Sequence, residues 1–247
     1  YAYLYAVPYD LYTKYHIRRY GFHGTSHRYV SHRACEVLGV NIKDQKIISC
    51  HIGNGASVAA IKNGKVMDTS MGLTPLAGLM MGSRSGDIDP SAVTYIMEKL
   101  HKKPQEMADY LNKECGVLGI SGVSSDMRDV DAAAKEGNKR AQLAFKMYAY
   151  RIKKYTGAYA AAMGGVDTII FTAGVGENQT DLRQAACEGL EFLGVKFDEE
   201  RNEKMVLGKE GPISAADSKV NVLVIPTDEE IVIARDTMEL VKATKKS

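Results

Sequence analysis

Two short stretches fix the kind of sheet this chain can build. Asp167–Thr172 reads DTIIFT and Val220–Ile225 reads VNVLVI. Both are apolar on successive positions, the pattern of a strand covered on both faces. Each runs directly into small and polar residues, Ala-Gly-Val-Gly-Glu-Asn after the first and Pro-Thr-Asp-Glu-Glu after the second. Helical sequence follows from about Gln179 in one case and runs to the C-terminus in the other. Strands interleaved with helices require an α/β architecture, and strand–loop–helix junctions of this kind are where nucleotides sit in such sheets.

The remaining elements fit that class. Ser26–Leu38 reads as a helix with Val30, Ala34, Val37 and Leu38 on one face. Gln45–His51, Ser57–Ile61 and Lys65–Thr69 read as strands, the last two joined by the hairpin dipeptide Asn63-Gly64. Residues 70–90 are rich in Gly, Met, Ser and Pro and read as an ordered loop, after which Asp89 caps a helix with Pro90 at its first position. Pro104 opens another helix. A long helix from Asn138 to about Met163 carries Ala141, Phe145, Tyr148, Ile152, Tyr155 and Tyr159 as one apolar stripe.

Composition excludes several classes. With 45% hydrophobic and 25% charged residues the chain supports a real core and is neither disordered, fibrous nor a disulfide scaffold. Its 32 basic and 30 acidic residues leave +2, so bulk charge recruits neither nucleic acid nor membrane. Cys35, Cys50, Cys115 and Cys187 form no CxxC pair and read as reduced cytosolic thiols. No apolar run approaches the ~20 residues of a membrane span, and no signal-peptide pattern opens the chain. The expected compartment is the cytoplasm.

Four segments are too polar and too rich in glycine for plain scaffold. In Gly21–His27 (GFHGTSH) glycines flank a histidine able to donate to a phosphoryl oxygen; a structural role and metal ligation are the other readings of its two histidines. His51–Ser57 (HIGNGAS) is a turn between strands, either a backbone cradle for phosphate or simply a tight turn. Met81–Asp87 (MGSRSGD) holds Arg84 between small residues, where its fork can grip phosphate or carboxylate unless the loop is a mobile surface feature. Gly174–Asn178 (GVGEN) resembles a nucleotide loop but is neither GxGxxG nor Walker A. The acidic pair Glu229-Glu230 suits a helix start or a Mg²⁺ ion.

The order RRYGFHGTSH (18–27), CHIGNGAS (50–57), MGLTPLAGLMMGSRSGDIDP (71–90), FTAGVGEN (171–178) and PTDEE (226–230) resembles the acetate kinase (acetokinase) family across the whole chain. The resemblance implies an α/β, ribonuclease H-like domain of the actin, heat-shock ATPase and sugar kinase superfamily: a mixed sheet with flanking helices. It implies phosphoryl exchange between ATP/ADP and acetate/acetyl phosphate, with Mg²⁺ or Mn²⁺, in a homodimer. By the same resemblance His23 and Arg84 steady the transferring phosphoryl group. The stretch His51, Ile52, Gly53, Asn54 and Gly55 holds nucleotide phosphate. Asp126, Met127 and Arg128 lie on the adenosine side, Met127 standing where the family often has Phe. Gly174, Val175, Gly176, Glu177 and Asn178 form a further ATP loop. Glu229 is the Mg²⁺-associated acid, and Phe22 and Pro75 wall the acetate methyl pocket.

The resemblance also carries an expectation about extent. Residues 1–228 correspond to the family's second, nucleotide-binding and dimerising domain, and 229–247 to a helix that returns to the first domain. The family's Asn-x-Gly-Ser-Ser-Ser loop, its carboxylate-binding Arg and its catalytic Asp have no counterpart in these residues. The chain alone is therefore expected to show little turnover. Propionate or butyrate kinase, and a nucleotide-binding module without catalysis, are the alternative readings.

Overall fold

Period-two alternation decides which residues of the buried strands face which layer. The computed structural model describes residues 1–244. Its sheet holds β1 (Lys46–Ile52), β2 (Ala56–Lys62), β3 (Lys65–Thr69), β4 (Thr168–Thr172), β5 (Gly211–Pro212) and β6 (Asn221–Val224) in the order β3-β2-β1-β4-β6-β5. β1, β4 and β6 run parallel, while β2 is antiparallel to both β1 and β3. Ile48, Ile169, Phe171, Val222 and Val224 point into one core, which includes Tyr148, Ile152 and Tyr159 of the long helix Lys139–Met163. Ile47, Ile170, Leu223 and Ile225 point into the other, with Val30 and Ala34 of the helix Gly24–Leu38. Two apolar layers explain why these strands are apolar on successive residues.

Most expected elements are present with ends shifted by one or two residues, where propensity is least decisive. Asn63 and Gly64 take φ of 55° and 76°, as the hairpin turn demands. Asn138 caps the long helix by accepting from the backbone N–H groups of Arg140 and Ala141, and Asp89 caps Pro90–Leu100 through Ser91 N–H. Four stripe residues of the long helix are buried; Phe145 and Tyr155 are half-buried and pack on the core edge.

One expectation is corrected. Gly174–Asn178 is not a loop: the chain turns into a helix, Ala173–Asn178, immediately after β4. Ala173 absorbs the reversal with φ of 64°, and Gln179, with extended backbone, separates this turn from the next helix, Thr180–Cys187. The last described helix, Glu229–Thr244, buries only Val232 and leaves Ile233 and Leu240 open. Residues 245–247 of the expected C-terminal helix lie outside the described residues.

Candidate active site

The parallel strands β1, β4 and β6 all end on one edge of the sheet, the edge where ligands bind in open α/β folds. The turn Gly53–Gly55, the helix Ala173–Asn178 and the segment Pro226–Glu229 leave from these three ends. Helix Gly24–Leu38 brings its N-terminus to the same edge through His23, whose φ of 60° costs roughly 1–3 kcal/mol for a residue with a side chain.

His23, Arg84 and Gly55 meet there. A Cβ built on Gly55 would lie 3.4 Å from Arg84 Nη1 and 3.6 Å from His23 Nε2, so a guanidinium and an imidazole share one space above this glycine. Arg84 Nη1 donates to Pro75 O at 3.0 Å, which fixes the guanidinium. Its loop is pinned: Val117 N–H and Leu118 N–H donate to Met81 O and Gly82 O, and Cys115 N–H donates to Ser83 O. A Cβ on Gly82 would come within 2.2 Å of Asn54 Oδ1, so only glycine lets this loop seat against the turn. These bonds tie the Arg84 loop to residues 115–118 and to Pro75. The turn itself is held from behind, where Tyr148 hydroxyl donates to Gly53 O at 3.3 Å.

Three imidazoles line the floor. His23 stacks on His51 with ring centroids 4.0 Å apart, and His27 meets both edge-on. Burial is the first cause that lowers all three pKa values. For His23 the Arg84 charge adds to it. His27 and His51 are held down to about 3, with neighbouring imidazoles adding to the shift. Burial thus favours the neutral form of all three rings, which interact by hydrogen bonding and stacking. His51 Nδ1 lies 2.8 Å from Ser26 Oγ, and the Thr227 hydroxyl donates to that same Ser26 Oγ at 2.8 Å. Thr227 N–H in turn donates to Glu177 Oε1 at 3.2 Å, tying the three strand ends together.

Beside this cluster opens a cavity of about 860 Å³ lined by Gly53, Asn54, Asp126, Met127, Tyr148 and Gly174, among others. A Cβ on Gly174 would meet nothing within 4 Å, so the bare glycine enlarges the space. Met127 is buried in the core as well as lining the cavity, and Asp126 caps the helix Met127–Lys135 while pairing with exposed Arg128. That pairing is the main reason the Asp126 carboxyl lies below its ordinary range.

The remaining expected residues are more dispersed. Phe22, 39% exposed, lines a separate cavity of about 420 Å³ with Tyr20 and Val66, whereas Pro75 sits against Arg84. Glu229 and Glu230 stand in the first turn of their helix, but Asp228 makes the capping bond to Ile231 N–H. Among the described residues no group of three His, Cys, Asp or Glu side chains gathers to hold a metal alone. Residues that sequence reasoning passed over are Ser26, Ser49, Ser57, Tyr148 and Thr227. The available signal was polar side chains inside buried strands: Ser49 and His51 share the face of Ile47, and buried polar residues are informative where exposed ones are not.

The acetokinase family profile matches residues 1–235. The chain belongs to the acetokinase family. Acetate kinase of Bacteroides thetaiotaomicron is 66% identical over 98% of this chain. The crystal structure of Porphyromonas gingivalis acetate kinase superposes with a TM-score of 0.95 at 58% identity over 97% of the chain, and a propionate kinase from Francisella tularensis with 0.87 at 42% over 94%. The chain spans 60% of the length of the Bacteroides relative, 60% of the Porphyromonas chain and 58% of the Francisella one. The fold is thus that of the acetate kinase structure it superposes on, a mixed sheet with flanking helices. No helix among the described residues is long and apolar enough to cross a membrane.

Proposed function

We propose that these residues form the nucleotide side and the phosphoryl-transfer centre of an acetate kinase, which exchanges a phosphoryl group between ATP and acetate to give ADP and acetyl phosphate. The observation that carries the reading is the convergence of Arg84 Nη1 and His23 Nε2 over Gly55, beside a cavity large enough for a nucleoside. In-line transfer forms a bond from an acetate carboxylate oxygen to the γ-phosphorus as the bond to the ADP oxygen breaks. It needs positioning and charge stabilisation on the equatorial oxygens. Arg84 supplies fixed positive charge, and neutral His23 supplies a hydrogen-bond donor. The backbone of His51–Gly55 and the turn Gly174–Asn178 flank the phosphates, and Asp126–Arg128 the adenosine.

Glu229 would hold Mg²⁺ or Mn²⁺, which would supply charge neutralisation for the phosphates. Such ions take one or two carboxylates and complete their shell with phosphate and water, which suits Glu229 at a strand-end helix start and Glu177 nearby. Homodimerisation, a cytoplasmic location and the domain division at residue 228 belong to the same proposal; for the acetate methyl the geometry supports Pro75, held against Arg84, whereas Phe22 faces a separate cavity. The open apolar residues Ile233 and Leu240 support a further packing partner for the last helix. Acetate is favoured over propionate because the relatives that match at 61–66% identity are named acetate kinases.

Calorimetry with ADP tests the nucleotide side: one saturable site is expected, and no binding would refute it. Acetate-dependent ATP consumption, in a protein extending this chain to the length of its relatives, tests the transfer. Nucleotide binding without any acyl-phosphate formation there would leave a binding module in place of a kinase.

A further inference from the structure

A chain of buried hydroxyls and neutral imidazoles has a direction, because each hydrogen must find an acceptor. Four side chains form such a chain from core to site. Ser49 Oγ lies 2.9 Å from His27 Nδ1, His27 Nε2 lies 2.8 Å from Ser57 Oγ, and Ser57 Oγ lies 3.0 Å from His23 Nδ1. Ser49 and Ser57 are fully buried and His27 is 3% exposed. Among the described residues neither serine hydroxyl nor the His27 ring has another hydrogen-bond partner.

Two directions exist for neutral rings. Running inward, His23 Nδ1–H donates to Ser57, Ser57 to His27 Nε2, and His27 Nδ1–H to Ser49. The fully buried Ser49 hydrogen is then left without an acceptor among the described residues, and His23 turns a lone pair toward the space above Gly55. Running outward, Ser49 donates to His27 Nδ1, His27 Nε2–H to Ser57, and Ser57 to His23 Nδ1. Every buried hydrogen is then used, and the spare N–H is His23 Nε2–H, 3.6 Å from the position a Gly55 Cβ would take.

We propose that Ser49, His27 and Ser57 are positioning residues that fix His23 as the Nε2–H tautomer, so that its ring offers a hydrogen to an anionic oxygen above Gly55. What that oxygen belongs to rests on the phosphoryl-transfer reading; the tautomer does not. A second arm acts alike on the stacked partner. Thr227 hydroxyl donates to Ser26 Oγ, which leaves the Ser26 hydrogen for His51 Nδ1 and the remaining proton on His51 Nε2. Two parallel rings are thereby preset before any ligand arrives, which removes tautomer exchange from the binding step.

Long-range ¹H–¹⁵N spectra of the uniformly labelled 247-residue chain at pH 7.5 read each tautomer directly. His23, His27 and His51 are expected as single Nε2–H species. An Nδ1–H or mixed tautomer at His23 or His27 in this protein overturns the proposal, whether or not the chain binds nucleotide. Ser49→Ala is the relay-specific variant, since Ser49 does not touch His23. It is expected to move the His23 ring ¹⁵N shifts toward a tautomer average while the backbone amide spectrum away from β1 stays unchanged. Ser57→Ala is expected to do the same more strongly, and Ser57→Thr, which keeps the hydroxyl, to restore the single species. His23 shifts that ignore both alanine variants would show the contacts to be packing only.

Discussion

Lowering the pH from 7 to 5 is expected to destabilise this fold through His27 and His51. Both rings are buried, and burial holds their pKa values at about 3, against about 6.5 for an exposed histidine. Above pH 6.5 folded and unfolded chains both carry neutral rings and the two residues contribute no pH dependence. Between 6.5 and 3 the unfolded chain binds protons that the folded chain does not, so stability falls as pH falls. The slope is about 1.4 kcal/mol per pH unit for each histidine. From pH 6.5 to pH 5 this amounts to about 2 kcal/mol per ring and about 4 kcal/mol for both, a large part of the ~5–15 kcal/mol that holds a typical domain together. Urea unfolding followed by circular dichroism at pH 7, 6 and 5 measures it. His27→Gln, which keeps a side-chain donor without a titrating group, should show a clearly shallower slope than wild type. A stability that is flat between pH 7 and 5, or a wild-type slope in His27→Gln, would contradict the neutral, buried histidine layer.

Three other outcomes are expected. Arg84→Ala, in a protein carrying the relatives' full length, should lower turnover by ~10³-fold or more with nucleotide affinity within a few-fold, as for arginines elsewhere that stabilise transferring phosphoryl groups; a small kinetic effect would make Arg84 structural. Gly82→Ala forces a Cβ to within 2.7 Å of Ser125 O as well as onto Asn54, and should cost about 1–3 kcal/mol and weaken ADP binding, read by thermal unfolding and calorimetry. Arg183 is fully buried and donates to Gly176 O, Asn202 Oδ1, Asn202 O and Met205 O, so Arg183→Met should destabilise by about 3 kcal/mol by leaving these acceptors unpaired; an unchanged unfolding midpoint would show that water or rearrangement replaces it.

Local rules made much of the fold legible. The apolar runs at 168–172 and 221–225 announce covered parallel strands, Asn63-Gly64 announces its hairpin, and Asn138 and Asp89 announce their helices, because each depends on φ/ψ preference or on a partner a few residues away. The helical state of Gly174–Asn178 was not legible. Two glycines in five residues read as a loop, and only the exit of β4 against β1, with Ala173 taking up the strain, winds them into a turn. The polar residues of the site were legible as types, through motifs that resemble one family.

What the sequence by itself determined is therefore the set of elements, the α/β class and the chemistry available in the Gly21–His27, His51–Ser57 and Met81–Asp87 segments. The tertiary structure alone decided which of these meet. His23 and Gly55 are thirty-odd residues apart and Arg84 a further thirty or so, and nothing in local propensity places them over one glycine. Parallel pairing of β4 with β1 and with β6 gathers three strand ends on one edge, and packing of the Gly24–Leu38 helix delivers His23 to it. The neutral state and direction of the histidine layer follow from the same packing. Burial removes the water that would otherwise satisfy either tautomer, so the partners supplied by Ser26, Ser49 and Ser57 decide what the rings offer.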